Sequence, residues 1–267
     1  MGEAAPATLA GKCALVTGST GGLGAAIARR LAREGCNVVL NGFGDDAAIE
    51  ALRSEIGEKS GVEVLYHPAD LARPDDIAAM MTAAAERFGG VDVLVNNAVV
   101  RHFARVDDFP VERWDEALAV NLSAAFHTVR LALPHMRARN WGRIVNMSSV
   151  YGFQGVEKRV DYVTTKTALL GFTRAVALDT IDQPITCNAV CPGTTNTPAI
   201  EGRIAAMAQA KGLSHEDAVR DYLSERQPSR RFIDPDHVAG LIVFLCSPAG
   251  ADITGAALPV DGGWLAA

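Results

Sequence analysis

Short apolar runs alternate with longer helix-patterned stretches along the whole of this chain, and no other feature restricts its fold as much. The runs at residues 12–17, 36–41, 62–67, 91–95, 143–147, 185–191 and 257–260 read as strands. Helical patterns fill residues 22–34, 45–57, 74–88, 111–139 (one or two helices), 160–181 and 235–246. Pro74 falls in the first turn of its helix, where a missing N–H removes no hydrogen bond. Strands that are almost wholly apolar have no face to show to water. Separated by helices, they make a parallel sheet covered on both sides. The expectation is an α/β fold with one doubly wound parallel sheet, and a single domain over residues 1–267. No Pro/Gly/Ser linker, repeat or low-complexity tract divides it.

One stretch departs from the alternation. Residues 194–228 separate a strand from the last helix and far exceed an ordinary connection. Helical pieces at 200–210 and 215–224, interrupted by Gly202 and Gly212, suggest a helical lid over a binding site.

Bulk properties narrow the function. Hydrophobic residues make up 49% and charged residues 21%, as in a globular protein with a full core. The net charge of −6 argues against a nucleic-acid surface. No apolar run approaches the roughly 20 residues that span a bilayer, and residues 1–10 lack the pattern of a signal peptide. The five cysteines (13, 36, 187, 191 and 246) form neither an even set nor a C-x-x-C pair. They are expected to be buried and unpaired, in a reducing compartment such as the cytoplasm. No His/Cys/carboxylate grouping suggests a metal.

Two local patterns carry chemistry. Gly18, Gly22 and Gly24 follow the first strand and open the first helix, in Thr17-Gly18-Ser19-Thr20-Gly21-Gly22-Leu23-Gly24. Glycines let backbone approach a pyrophosphate without a Cβ in the way, and the helix N-terminus offers free N–H groups. The strand–loop–helix setting points to a nucleotide. Further on, Tyr162 and Lys166 lie four residues apart, on one face of a helix, with Ser149 upstream. A free tyrosine, with a pKa of about 10, is a poor base at neutral pH. A neighbouring ammonium favours the phenolate, and a serine hydroxyl can hydrogen-bond an alcohol or carbonyl oxygen. The set suits moving a proton on and off a secondary alcohol.

Thr17–Gly24, Asp70-Leu71, Asn96-Asn97-Ala98, Asn121, Ser149, Tyr162/Lys166 and Pro192-Gly193 together resemble the ordered motifs of the short-chain dehydrogenase/reductase family. The resemblance implies one Rossmann-type domain with a seven-stranded parallel sheet, usually in a homotetramer. By position, Gly18, Thr20, Gly22, Leu23 and Gly24 would line the dinucleotide. Asp70 and Leu71 would bind the adenine, and Asn97 and Ala98 would flank the ribose. Pro192, Gly193, Thr195 and Thr197 would border the nicotinamide. Asn121, Ser149, Tyr162 and Lys166 would form the catalytic tetrad, with Tyr162 and Lys166 also touching the cofactor. Asn121 would support a water that relays protons from Lys166.

The second strand ends Leu40-Asn41-Gly42-Phe43-Gly44-Asp45-Asp46, with no basic residue for a 2′-phosphate. NAD is therefore expected rather than NADP, although an acidic ribose ligand is absent at Asn41. Phe43 is expected to close over the adenosine.

Residues 41–45, 67–71, 137–143 and 260–266 are similar to D-3-hydroxybutyrate dehydrogenases, a subgroup of the family. Its pocket positions differ here. Arg101, Tyr151, Arg159, Thr194 and Arg203 stand where that subgroup has glutamine, histidine, lysine, tryptophan and glutamine. Guanidinium groups grip oxyanions in a bidentate fork, so a bulkier, strongly anionic substrate is expected: a sugar acid, dicarboxylate, phosphate or sulfonate. Arg159 and Arg203 also resemble the sulfonate-gripping pair of hydroxypropyl-coenzyme M dehydrogenases. Val99 replaces the family's usual glycine, and would either narrow the cleft or shift the backbone. Two alternatives stand beside the NAD-dependent anion dehydrogenase. One is D-3-hydroxybutyrate oxidation itself; the other, from a different class, is a cofactor-binding regulatory protein on the same fold. His102 is a further candidate for touching substrate, and Trp264 for walling the pocket or packing between subunits.

Overall fold

The computed structural model describes residues 9–224 and 226–267. Seven strands form one parallel sheet: β1 (Cys13–Val16), β2 (Asn37–Asn41), β3 (Val64–His67), β4 (Val93–Asn96), β5 (Gly142–Met147), β6 (Ile185–Pro192) and β7 (Ala257–Val260). Their order is β3-β2-β1-β4-β5-β6-β7. The chain thus reverses its direction of growth between β1 and β4, and a doubly wound sheet opens its crevice at that switch point. Register sharpens the crevice, because Val16 pairs with Leu40 on one side and with Val95 on the other. The loops leaving these three strands start at one level.

Strand alternation divides the core. Ala14 and Val16 pack with Ile27, Leu31, Val38, Leu40, Ile242 and Leu245. These come from α1 (Gly22–Arg33), β2 and α9 (Pro235–Cys246). Cys13 and Leu15 face the other way, onto Ile77, Met80, Val129, Met136 and Val176, from α3 (Pro74–Phe88), α5 (Ala124–Ala138) and α6 (Val160–Asp179). A period of two thus feeds both helical layers. Truncating a fully buried member such as Leu15 to alanine would cost about 2–5 kcal/mol. The sixth layer-forming helix, α2 (Asp46–Ser60), starts on Asp45, whose carboxylate accepts the Ala48 N–H at 2.9 Å.

Two details sharpen or correct the sequence reading. The stretch 111–139 is α4 (Val111–Leu118), a π-helical turn (Ala119–Ser123) and then α5. Asn121 lies on that turn, and such bulges often mark functional positions. The stretch 194–228 holds α7 (Pro198–Lys211) and α8 (His215–Ser224). Gly202 does not interrupt it: it lies inside α7, where a glycine weakens a helix without breaking it. Gly212, at φ +63°, ends α7.

Candidate active site

The crevice is a cleft of about 670 Å³ above the ends of β1, β4, β5 and β6. At one end lies the glycine loop. Thr17 Oγ1 accepts the N–H groups of Asn97 and Ala98 at 2.9 and 3.0 Å, and Asn97 Nδ2 donates to the carbonyls of Thr17 and Gly18 at 2.9 and 3.0 Å. The loop after β1 is thus sewn to the loop after β4. Gly18 has φ +62°, and a Cβ there would come within 2.8 Å of Ala98 Cα. A Cβ on Gly24 would collide with Gly18 O, whereas Gly22, at φ +52°, faces open space. Helix α1 begins on Gly21 with no side-chain cap and no acid in its first turn. Its orphan N–H groups remain available to an anion in the cleft. Loop and helix end together fit a dinucleotide phosphate.

Beyond the loop, Thr20 Oγ1 donates to Phe43 O at 2.9 Å, and Phe43 stands 66% exposed on the rim. Asp70 and Leu71 line the same end, with Asp70 Oδ1 accepting the Ala72 N–H at 2.9 Å. Asn41 is not at the rim. It is 1% exposed, and its Nδ2 donates to His67 O and Ala69 O at 3.1 and 3.0 Å. Its amide braces the loops from below and is spent before it could reach a ribose. Among the residues lining the cleft the basic ones are Arg101 and Lys166, both at the opposite end.

There, β5 delivers Ser149 and α6 delivers Tyr162 and Lys166, all buried. Lys166 Nζ donates to Met147 O at 2.6 Å, and Ser148 Oγ donates to Lys166 O at 2.8 Å. These bonds hold α6 against the end of β5. Ser149 Oγ accepts the Tyr151 N–H at 3.2 Å. Burial alone would raise the Tyr162 pKa. Lys166, Arg101, the Ser149 hydrogen bond and Arg159 outweigh it, and the phenol titrates below its ordinary value. Burial also lowers the Lys166 pKa, against the pull of Tyr162. Asn121 Oδ1 accepts the Val100 N–H at 2.8 Å while its Nδ2 donates to Val100 O at 3.1 Å. Its side chain therefore positions the loop after β4, so a water relay at this residue would have to use its main chain. Val99 lines the cleft and is not among the residues with positive φ.

The predicted substrate residues divide. Arg101 lines the cleft, and its Cζ lies 5.4 Å from the centre of the Tyr162 ring. Arg159 Cζ lies 4.6 Å from that ring and 4.3 Å from the ring of Phe103. Arg203, exposed on α7, has Phe103 as its one ring contact among the described residues, at 5.6 Å. Two of the three arginines thus meet at Tyr162, and the third stands one ring further out. Tyr151 packs edge-on to Tyr162 at 6.3 Å, and Trp264 packs edge-on to Tyr151 at 5.4 Å. Pro192, Gly193, Thr195 and Thr197 line the cleft; Thr194 does not. Its N–H donates to Gln227 Oε1, while Gln227 Nε2 donates to Arg231 O at 2.6 Å. Sequence reasoning missed Thr17, Phe103 and Gln227. Thr17 adjoins the glycine loop and was open to inspection. Gln227 had no signal, being 33 residues from Thr194.

His102 donates its backbone N–H to Asp161 Oδ2 at 3.2 Å, and its ring lies 3.4 Å from Glu116. Neither contact directs it at Ser149 or Tyr162. All five cysteines are buried and free. Burial pushes Cys187 and Cys246 up to about 12 and Cys191 to about 11, so these thiols stay protonated. Among the described residues no grouping of His, Cys, Asp and Glu could hold a metal, and no helix is long and apolar enough to cross a membrane.

Known proteins agree with this geometry. A family model described as enoyl-(acyl carrier protein) reductase matches residues 18–265. D-beta-hydroxybutyrate dehydrogenase of Cupriavidus necator is 46% identical over 258 residues, covering 97% of this chain and 99% of that protein. The Rhizobium meliloti protein of the same name is 44% identical, covering 96% and 99%. Among solved structures, L-sorbose reductase of Gluconobacter frateurii, complexed with NADPH and L-sorbose, superposes with a TM-score of 0.92. It is 31% identical, with 98% of this chain and 100% of that chain covered. With a parallel seven-stranded sheet, a glycine loop at its switch point and Tyr162 beside Lys166, the chain belongs to the short-chain dehydrogenase/reductase family, as an oxidoreductase acting on CH–OH groups.

Proposed function

We propose that this protein interconverts a secondary alcohol and a ketone on a small anionic substrate, with NAD as its cofactor. One observation carries the anion: Arg101 and Arg159 lie over the Tyr162 ring, and among the described residues neither forms an ion pair. Arg101 is exposed, but Arg159 is half-buried; a half-buried guanidinium is rarely left without an anion, and a hydroxy acid, sugar acid or sulfonated or phosphorylated sugar would supply one.

Bound nicotinamide supplies the hydride acceptor or donor. Ser149 orients the substrate oxygen, and Tyr162 takes or returns its proton. Lys166 lowers the phenol's proton affinity and holds the nicotinamide ribose, and Asn121 supports the water behind it. Gly18, Thr20, Gly22, Leu23 and Gly24 hold the phosphates. Phe43, Asp70 and Leu71 hold the adenine, and Asn97 and Ala98 the ribose. Pro192, Gly193, Thr195 and Thr197 border the nicotinamide. Tyr151, Arg159, Thr194 and Arg203 complete the substrate wall with Arg101. Residues 194–228 act as its lid, within one domain. The adenosine end has no basic lining residue, which supports NAD over the NADP type. A homotetramer, as the family implies, would cover Phe126 and Phe244, both exposed. Buried free thiols are consistent with work in the cytoplasm.

The second reading is D-3-hydroxybutyrate oxidation proper, favoured by the 46% identity. Purified protein with NAD, offered D-3-hydroxybutyrate, sugar acids and phosphorylated or sulfonated sugars, separates the two. Turnover of a larger anion, weakened in Arg101→Ala and in Arg203→Ala, is the expected result. Turnover of D-3-hydroxybutyrate at about 10⁴ M⁻¹s⁻¹ or above would mean that the arginines are tolerated variation in an unchanged pocket.

A further inference from the structure

Resting on that reading, we propose that the substrate's anionic group sets the proton affinity of Tyr162, because the guanidiniums placed to bind it are the ones stacked on the phenol ring. Three cations surround this ring: Arg159 Cζ at 4.6 Å, Arg101 Cζ at 5.4 Å and Lys166 Nζ at 5.6 Å from its centre. Lys166 belongs to the machinery already described; the two arginines add charge from outside α6. Nε of Arg159 is buried with no hydrogen-bond partner.

The other charged or titratable groups around the ring are accounted for. Asp161, next to Tyr162 on α6, is buried and accepts the His102 N–H. Glu116 on α4 holds Arg113 at 2.8 Å and faces the His102 ring. Tyr151 from the turn after β5 meets Tyr162 edge-on, and Cys191 on β6 lies buried beyond Lys166. Asp161 pulls on the Arg159 charge, but among the described residues no carboxylate forms an ion pair with either guanidinium, and both still act on the phenol.

A substrate carboxylate, phosphate or sulfonate on these guanidiniums adds that offset. The phenolate then loses part of its stabilisation, and Tyr162 holds its proton to higher pH. In the oxidation, the alcohol O–H bond would break and a Tyr162 Oη–H bond form, while a bound nicotinamide would supply the acceptor for the hydride from the C–H bond. An enzyme poised in this way deprotonates Tyr162 at moderate pH while free. It becomes a stronger base once an anionic substrate has docked, whereas a neutral alcohol leaves the base as weak as in the free enzyme.

The test is a pair of pH profiles. The midpoint of kcat/KM reports the free enzyme and that of kcat the complex. For an anionic substrate the kcat midpoint is expected about one pH unit above that of kcat/KM, the size of effect one charge produces at this range. For a neutral secondary alcohol of similar size the two should coincide. Arg159→Met should raise the free-enzyme midpoint and shrink the gap, and Arg159→Lys should restore both; Arg101→Met makes the same test if the first variant fails to fold. A readout independent of turnover is the tyrosinate ultraviolet titration. With four tyrosines in the chain, subtracting Tyr162→Phe isolates the one of interest, and malonate should move its midpoint upward. Coincident midpoints with an anionic substrate, and a titration unmoved by malonate, would overturn the coupling alone. Equal use of neutral and anionic alcohols, unchanged in the arginine variants, would instead overturn the anionic-substrate reading.

Discussion

At the cofactor end of the cleft, Thr17, Asn41 and Asn97 direct their polar atoms to neighbouring backbone, and glycines allow main chains to touch. At the substrate end, Arg101, Arg159 and Arg203 contact aromatic rings and, among the described residues, no carboxylate. These side chains of the first region are satisfied without a ligand, and their interactions define a shape; the N–H groups at the start of α1 are what it leaves for an anion. The second leaves charge unanswered, so the ligand's own charge finishes it. A site of the first kind is rigid and general, as binding a common nucleotide requires. A site of the second kind changes specificity whenever a side chain changes, because no neighbouring backbone depends on it.

The largest effect should come from the chemistry that both regions serve. Tyr162→Phe should lower kcat by about 10²–10⁴-fold with cofactor binding and thermal stability little changed; a small loss would take Tyr162 out of the reaction. The pH profile sharpens this. Oxidation should rise as the phenol loses its proton, with a midpoint below the ordinary tyrosine value of about 10, because Lys166, Arg101 and Arg159 outweigh burial. In Lys166→Met that midpoint should move up.

Next come the arginines. Arg101→Ala should raise KM for the anionic substrate about 10–100-fold, from the loss of a charged hydrogen bond of about 1.5–3 kcal/mol, and leave Tm nearly unchanged. The lid's Arg203→Ala should act in the same direction; equal effects in cofactor affinity would break the division between the two ends. At the cofactor end the signature should be reversed. Gly18→Ala imposes a side chain at φ +62° against Ala98 and should cost about 1–3 kcal/mol of stability, seen as a lower melting temperature. Comparable in size is Asn41→Leu, which leaves the carbonyls of His67 and Ala69 without their donor. About 1–3 kcal/mol should disappear from stability, with the preference for NAD over NADP unchanged. A switched preference would show that Asn41 reaches the ribose after all.

Some of this was legible in the chain. Apolar runs alternating with helical patterns placed all seven strands, because a strand buried on both faces leaves its mark within a few consecutive residues. The glycine spacing and the four-residue step from Tyr162 to Lys166 were equally local, since loop and helix geometry convert sequence distance directly into spatial distance. Other features needed the packed molecule. The sequence presented Asn41 as a missing ribose ligand; burial beneath the loop made it a brace. It presented Gly202 as a break, but α7 continues through it. Three arginines stood at pocket positions in the sequence; folding puts Arg101 and Arg159 on the Tyr162 ring, and α7 brings Arg203 to Phe103, which Arg159 also meets. Gln227 and Phe103 carried no motif, because what they do depends on partners brought close only by the return of the chain. Periodicity within an element is a property of neighbours in sequence, and it determined the fold and the reacting pair. Which side chains share a cavity depends on how distant loops close over the sheet, and the tertiary structure alone decided it.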